Sequence, residues 1–275
     1  QAIAGYERAI ELDPDFTEAH SAYGVLLTEL GRPAEAVERF HRALALAPRH
    51  VRSHANLGLA LAAQGLWEDV DAFFDYDRLV RRHRFDRVPE WDSLDRFNAA
   101  VADYIYRRPD LMRDRPSVAT KGGSQTENIL LDDHPVTRTL ESMMRGFYQD
   151  YLAAALAGAA DPYFDAPPAV WYVKANAVVL TSNGYQDPHI HPVGYCSGVY
   201  YVRIPEPVKT AVDSENGYIR FGRAAPGAAS DRTRYVTVKP EEGLMLIFPS
   251  YFWHGTIPFE SDEDRVCVAF DIEPC

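Results

Sequence analysis

The sequence predicts an α+β protein: an N-terminal array of helical repeats, then a β-rich barrel or jelly roll with helices packed on one side. Three observations predict this. Similar residues recur at a spacing of 34 positions in the first third of the chain. Apolar residues then follow helical spacing, and from Ala169 short β-branched and aromatic runs alternate with Pro, Gly, Asn and Asp. We place the two domains at residues 1–84 and 85–275.

The helical repeats are recognised by small and large residues that return at fixed positions. Small residues would lie where two helices cross closely, large ones beside them, and glycine or proline would end each helix. The recurring pairs are Ala2 and Ala36, Tyr6 and Phe40, Pro14 and Pro48, His20 and His54, Tyr23 and Leu57, Gly24 and Gly58, Gly31 and Gly65, and Phe40 and Phe74.

This pattern resembles the tetratricopeptide repeat, with a half unit at 1–16, a full unit at 17–50 and a third unit at 51–84. Because the chain starts in mid-helix, we expect it to be part of something longer. Two roles remain open for the repeats. They either cap the next domain or bind a protein or peptide on their concave face.

The joining region predicts two helices and one turn. Apolar residues at three- and four-residue steps indicate a helix over Trp91–Tyr106 and another over Val136–Ala157. The basic segment 76–84 is expected to finish the last repeat helix as a solvated face, and Gly122–Thr126 is expected to form a polar turn. Beyond it, strands are predicted at Val170–Leu180, Cys196–Ile204, Gly217–Phe221, Arg234–Val238, Leu244–Phe248 and Val266–Ile272.

Two histidine-containing segments carry the candidate chemistry. His189 and His191 are two residues apart, so on a strand their side chains point to the same face. A third histidine, His254, lies in a second segment, and Arg265 follows it by eleven positions. This set suggests one metal ion and one anionic co-substrate in a β-barrel, since barrel mouths are common ligand sites.

The order of motifs in this half resembles that of 2-oxoglutarate- and Fe(II)-dependent oxygenases over about residues 95–275. The segments that carry the resemblance are His189–Pro192, Ser197–Val202, Gly217–Phe221, Leu246–Ser250, Trp253–Thr256, and Arg265 with Val268–Phe270. The resemblance implies a double-stranded β-helix (jelly-roll) fold and the cofactors Fe(II) and 2-oxoglutarate. It also implies oxidative decarboxylation of 2-oxoglutarate to succinate and carbon dioxide, coupled to hydroxylation of a substrate.

By this resemblance, iron is held by a histidine of the first segment and by His254, and Arg265 pairs with the distal carboxylate of 2-oxoglutarate. Tyr200 and Tyr201 are adjacent and therefore face opposite ways, so only one can reach the co-substrate. We assign Tyr201 and Ser197 to co-substrate binding together with Arg265.

The chain departs from the usual His-x-Asp/Glu…His metal motif, because His191 stands where the carboxylate is expected. Three ligand sets are open. They are three histidines (His189, His191 and His254), one of the paired histidines with His254 and water, or a set that includes Asp187. We favour the three-histidine set as the expected metal site.

Composition and net charge limit the classes of partner and the cellular compartment that we expect for the protein. A net charge of −12 argues against nucleic acid or an anionic membrane surface as the main partner, and no apolar run is long enough for a membrane span. Three cysteines without zinc-type spacing favour a reducing, cytoplasmic setting.

We therefore expect an oxygenase that hydroxylates a protein, peptide or carrier-bound substrate selected by the repeats. An oligomer is possible. Two alternatives remain open: a three-histidine dioxygenase of the cupin type that does not use 2-oxoglutarate, and a non-catalytic repeat adaptor.

Overall fold

The computed structural model describes residues 2–158, 161–223 and 235–275. Arg234, the first residue of one predicted strand, lies outside these ranges. The helices are α1 Ala2–Leu12, α2 Thr17–Glu29, α3 Pro33–Leu46, α4 Val51–Ala63, α5 Trp67–Phe73, α6 Tyr76–Leu79, α7 Leu94–Tyr106, α8 Pro135–Ala157 and α9 Glu206–Thr210. The strands are β1 Arg81–Arg84, β2 Met112–Arg113, β3 Thr120–Asn128, β4 Trp171–His189, β5 Cys196–Arg203, β6 Ile219–Phe221, β7 Val236–Val238, β8 Leu244–Pro249, β9 His254–Thr256 and β10 Arg265–Pro274.

Helices α1 to α5 form the predicted repeat array, and the small–large pairing explains how they pack. A Cβ added to Gly24 would lie 2.7 Å from the ring of Phe40, and one added to Gly58 would lie 1.9 Å from the ring of Phe74. Only glycine lets these aromatic rings approach the facing helix so closely. The recurrence of Gly24/Gly58 with Phe40/Phe74 is therefore a requirement of the helix crossing.

The repeated histidines have a structural role in the array. His20 is bonded through Nε2 to the carbonyl oxygen of Pro14 at 2.9 Å, and His54 is bonded in the same way to Pro48 at 2.7 Å. Both imidazoles are buried. Each of these hydrogen bonds holds the first helix of a repeat unit against the proline-containing turn that precedes it.

The prediction that residues 76–84 finish the last repeat helix is wrong for its second half. Helix α6 ends at Leu79, and Arg81–Arg84 form strand β1, which pairs antiparallel with β8 at the edge of the sheet. All four side chains of β1 are exposed. The backbone pairing offered by β8 outweighs the local helical preference, and basic side chains are well tolerated on an edge strand.

The sheet is antiparallel throughout and curls as a jelly roll, as predicted. Its strand order is β1-β8-β5-β10-β4-β9-β6-β7; β3 joins it by pairing with β4, and β2 pairs with β3. Strand β4 is 19 residues long, well beyond the predicted Val170–Leu180. Its first part pairs with β10, its last residues pair with β9, and β3 pairs with both parts. This length carries the chain from the core of the sheet to the candidate metal site.

The segment Gly122–Thr126, predicted as a polar turn, instead lies within β3. Its glycines reflect the close pairing with β4, because a Cβ on Gly123 would lie 2.6 Å from the carbonyl oxygen of Val179. Composition alone does not distinguish this use of glycine from a turn.

The core of the jelly roll continues into the repeats. Helices α7 and α8 cover the sheet, and their buried residues join those of the strands in one apolar cluster. Six residues of the third repeat unit belong to that same cluster: Val51, Ala55, Val70, Phe74, Leu79 and Val80. In the described part of the chain, no helix combines the length and apolarity that crossing a membrane requires.

Candidate metal centre and co-substrate pocket

Three histidines converge at one end of the sheet. His189 is the last residue of β4 and lies directly opposite His254, the first residue of β9, while His191 follows in the next turn. Their ring centroids are 4.4 to 5.1 Å apart. One ring nitrogen from each imidazole lies within 4.8 Å of the others.

Hydrogen bonds orient the three rings in the same way. Nδ1 of His189 lies 2.7 Å from the carbonyl oxygen of Asp187, and Nδ1 of His254 lies 2.8 Å from that of Phe252. Because a carbonyl oxygen can only accept, Nδ1 carries the proton and Nε2 keeps its lone pair. The remaining histidine, His191, donates from Nδ1 to the carboxylate of Asp271 at 2.8 Å. All three Nε2 atoms are thus left free to bind a metal ion.

The environment favours neutral imidazoles at two of the three positions. Burial, followed by the charge of His191, lowers the pKa of His189 to about 4. Burial and the neighbouring histidines lower the pKa of His254 well below its usual value. At neutral pH both rings are therefore unprotonated, as metal ligation requires.

His191 differs from the other two because of Asp271. Burial alone would lower the pKa of His191, but the charge of Asp271 and their hydrogen bond raise it overall. Burial would raise the pKa of Asp271, yet His191 and a hydrogen bond from Ser197 hold it below the usual value. Asp271 is therefore an ionised carboxylate against the back of His191.

Arg265 is buried in the same cavity, and none of the described residues supplies a counter-ion to it. Its side chain is 1% exposed and lies over the ring of Tyr201, with 5.0 Å between Cζ and the ring centroid. Among the described residues it has no carboxylate partner, Nε has no acceptor, and one terminal nitrogen lies 3.6 Å from Sγ of Cys267. A buried guanidinium without an anion is costly, so the site is built for an anionic ligand.

The cavity that joins these groups has a volume of about 280 Å³. All three histidines, Arg265 and Tyr201 line it. The Tyr201 hydroxyl is buried and unpartnered, whereas Tyr200 faces the opposite side and donates to Asn98 at 2.7 Å. A second unused polar group therefore lies beside Arg265.

The predicted site residues fall into three groups. His189, His191 and His254 come together, and Arg265 and Tyr201 lie in the cavity with them. Ser197 also lines the cavity, but its hydroxyl donates to Asp271 at 2.6 Å. Asp187 is exposed, and its backbone carbonyl, rather than its carboxylate, contacts His189.

These residues fit an Fe(II) ion. Imidazole nitrogens are suitable ligands for Fe(II), and three of them leave coordination positions for a co-substrate and dioxygen. The unpartnered Arg265 in the same cavity matches the anionic co-substrate.

Sequence reasoning missed Asp271. It lies on β10 six residues after Arg265, so the two-residue period of a strand places both on the cavity face with Cys267 and Ala269. Alternation along β10 could therefore have placed Asp271 on the cavity face, but not its contact with His191.

The third repeat packs directly on the segment that precedes His254. The indole of Trp253 donates to the carbonyl of Ala55 in α4 at 3.2 Å, and the ring of Tyr251 stacks on His54 with centroids 4.9 Å apart. A cleft of about 570 Å³ lies between α4, α5 and the jelly roll, with Trp253 and Ala62 among its walls. The repeats thus contact the residues next to a metal-ligand candidate.

Different parts of the chain match different protein families. Residues 170–271 match a family described as "Putative 2OG-Fe(II) oxygenase". Residues 6–38 and 26–69 match two tetratricopeptide repeat families. The prediction of tetratricopeptide repeats joined to a 2-oxoglutarate- and Fe(II)-dependent oxygenase domain is confirmed. Among proteins with curated descriptions, none matches the chain in sequence.

Solved structures to which the chain is similar include two prolyl hydroxylases and one protein with nickel and 2-oxoglutarate bound. A prolyl-4-hydroxylase from Pseudomonas putida has 12% identity and a TM-score of 0.47, covering 73% of this chain and 96% of that one. A prolyl hydroxylase from Trichoplax adhaerens, in complex with a peptide fragment of hypoxia inducible factor, has 9% identity and a TM-score of 0.49, covering 78% and 91%. HygX from Streptomyces hygroscopicus, with nickel and 2-oxoglutarate bound, has 13% identity and a TM-score of 0.44, covering 73% and 85%.

Proposed function

We propose that the chain is a 2-oxoglutarate-dependent hydroxylase in which His189, His191 and His254 bind Fe(II) through Nε2. Arg265 and Tyr201 bind the distal carboxylate of 2-oxoglutarate. Iron held by these histidines would supply dioxygen activation, so that conversion of 2-oxoglutarate and O₂ to succinate and carbon dioxide would be coupled to insertion of the other oxygen atom into a substrate C–H bond. The cytoplasm is the proposed compartment, since Cys196, Cys267 and Cys275 are free thiols.

The observation that carries the proposal is the buried Arg265 in the cavity of the three histidines, for which the described part of the chain provides no anion. The guanidinium supplies two parallel donors for a carboxylate and stays charged when buried. Tyr201 adds a hydroxyl donor at the same place. A cupin-type dioxygenase that uses no 2-oxoglutarate has no need for this pair, and neither has a non-catalytic adaptor.

Titration calorimetry of 2-oxoglutarate into the Mn(II)-loaded full chain tests this proposal. Arg265→Gln should weaken 2-oxoglutarate binding by about 100-fold, because one partner of a buried charge pair is lost. Arg203→Gln, at an exposed arginine on β5, is the matched control and should bind as the unchanged protein does. If Arg265→Gln binds 2-oxoglutarate normally, the proposal fails.

For the substrate, we propose a protein or peptide held in the cleft between the third repeat and the jelly roll. Tetratricopeptide arrays bind extended chains along their helices. The cleft combines repeat residues such as Leu59 and Trp67 with Trp253, the neighbour of His254. A chain bound there would lie against both the repeats and the segment that carries a metal ligand.

Blocking the cleft tests the substrate proposal. Ala62 lines the cleft and its neighbour Ala63 does not, so Ala62→Trp and Ala63→Trp form a matched pair. Ala62→Trp should abolish hydroxylation of peptides from a random library, detected by mass spectrometry, while 2-oxoglutarate binding persists. Ala63→Trp should retain both. Equal hydroxylation by the two variants would place the substrate elsewhere.

A further inference from the structure

The carboxyl group of Asp271 lies beside the metal site and belongs to none of the ligand sets considered above. It lies on β10 opposite Ser197 of β5. Its carboxylate accepts from Nδ1 of His191 at 2.8 Å and from the Ser197 hydroxyl at 2.6 Å. No other acidic side chain among the described residues bonds to any of the three histidines.

We propose that Asp271 is a positioning residue for the metal centre. It fixes the ring of His191 and supplies, through His191, the negative charge that a carboxylate bound directly to the metal would otherwise supply. This inference rests on the proposed function. In the usual facial triad one ligand is a carboxylate. Here His191 occupies that position in the motif, and the carboxylate lies behind it on a neighbouring strand.

The contacts form a closed ring that fixes His191. His191 donates its backbone N–H to the carbonyl of Ser250 at 3.1 Å, and the Ser250 and Ser197 hydroxyls are 2.8 Å apart. Ser197 in turn donates to Asp271, which accepts from His191. Gly194 leaves room for this ring, because a Cβ there would lie 2.6 Å from the Ser250 hydroxyl. The ring of His191 cannot rotate, and its proton cannot move from Nδ1 to Nε2, without breaking one of these hydrogen bonds.

The three histidines are not equivalent in this arrangement. His189 and His254 donate to neutral carbonyl oxygens, whereas His191 donates to a carboxylate. A hydrogen bond to a charged acceptor is stronger and makes the imidazole more electron-rich at Nε2. Asp271 also places one negative charge near a dication whose proposed protein ligands are all neutral. His191 should therefore be the strongest of the three donors.

Metal affinity tests the charge of Asp271. Asp271→Asn keeps the shape and removes the charge, and Co(II) titration should show affinity reduced by about 10- to 100-fold. Glu273→Gln is the matched control: Glu273 is buried on the same strand but contacts Tyr172 and Lys174 instead of His191. The control should change Co(II) affinity less than about threefold, well below the effect of removing a partner of a metal-binding histidine. Unchanged affinity in Asp271→Asn would overturn the inference.

The tautomer of His191 tests its positioning without any metal. Nitrogen-15 NMR of the metal-free protein at alkaline pH should find the His191 proton on Nδ1, and Asp271→Ala should redistribute it between the two nitrogens. The inference would be contradicted if the His191 proton lies on Nε2 in the unchanged protein, or if Asp271→Ala leaves the tautomer unchanged. If the unchanged protein binds no Co(II) but shows the expected tautomer, the proposed function fails while the positioning by Asp271 stands.

If the Asp271 variants do not fold, Ser197→Ala provides a second test of the inference. It removes only the hydroxyl that donates to Asp271. We expect a smaller loss of Co(II) affinity in the same direction. A folded Ser197→Ala protein with unchanged affinity and unchanged His191 tautomer would count against the ring of contacts.

Discussion

At the scale of single residues, the two adjacent tyrosines of β5 show how strand alternation separates binding from packing. Tyr201 points into the cavity beside Arg265 with its hydroxyl unpartnered, and Tyr200 points outward to Asn98 on α7. Both are buried. Only the Tyr200 hydroxyl has a hydrogen-bond partner in the described part of the chain. Replacement by phenylalanine should therefore affect stability at position 200 and co-substrate binding at position 201.

Tyr201→Phe should weaken 2-oxoglutarate binding by about tenfold, because a hydrogen bond to a charged group contributes roughly 1.5–3 kcal/mol. It should leave the stability of the ligand-free protein unchanged or slightly raised, since a buried unpaired hydroxyl is removed. Tyr200→Phe should leave binding unchanged and cost about 1 kcal/mol of stability through the lost bond to Asn98. Calorimetry and urea unfolding measure the two effects. If both variants behave alike, the assignment of Tyr201 to the co-substrate is contradicted.

Most of the candidate site could be predicted at this scale from the sequence. Side-chain alternation and motif order are enough to predict that His189, His191, His254 and Arg265 share one site. The role of Asp271 could not be inferred from motif order, because the contact with His191 depends on which strands become neighbours. The pairing of β10 with β5 is a long-range property of the sheet.

At the scale of elements, close helix crossings hold the repeats together. Gly58 of α4 faces Phe74, and Phe74 also packs edge-to-face on Phe252 near the metal site. The glycine thus determines how deeply the end of the third repeat enters the core. Gly5 of α1 has no atom within 4 Å of an added Cβ.

Gly58→Ala should destabilise the protein by about 1–3 kcal/mol, as overpacking of a tight contact does. Gly5→Ala is the matched control and should be neutral or stabilising by up to about 1 kcal/mol, since alanine favours helix. Urea unfolding of both variants gives the comparison. A neutral Gly58→Ala would mean that the crossing of α4 with the chain at Phe74 is looser than the contact implies.

The elements that sequence reasoning assigned wrongly are those whose partner lies far along the chain. Arg81–Arg84 carry no strand pattern, yet they pair with β8 about 160 residues later. The glycines of β3 resemble a turn until the approach of β4 is known. By contrast, α7 and α8 were predicted within a few residues because their apolar spacing is local.

At the scale of the whole molecule, the third repeat and the jelly roll share one core and should respond together. Ala55 accepts from Trp253, and His54 stacks on Tyr251, both next to the candidate metal ligand His254. The first helix, α1, packs against α2 and against the apolar cluster of the repeat array. Ligand binding at the metal site should therefore stabilise α4 and not α1.

Hydrogen exchange measures this coupling. Addition of Mn(II) with 2-oxoglutarate should slow exchange of α4 amides, because a ligand that binds the native state raises the free energy of opening in regions that unfold with its site. The amides of α1 serve as the internal control and should be unaffected. Unchanged exchange in α4, or an equal change in α1, would separate the repeats energetically from the metal centre.

The most direct measurement of the central claim is an anomalous-scattering map from crystals soaked with Fe(II) and 2-oxoglutarate in the absence of oxygen. We predict one iron peak bonded to Nε2 of His189, His191 and His254. The distal carboxylate of 2-oxoglutarate should be paired with Arg265. An iron peak away from these histidines, or 2-oxoglutarate density that leaves Arg265 unpaired, would contradict the account.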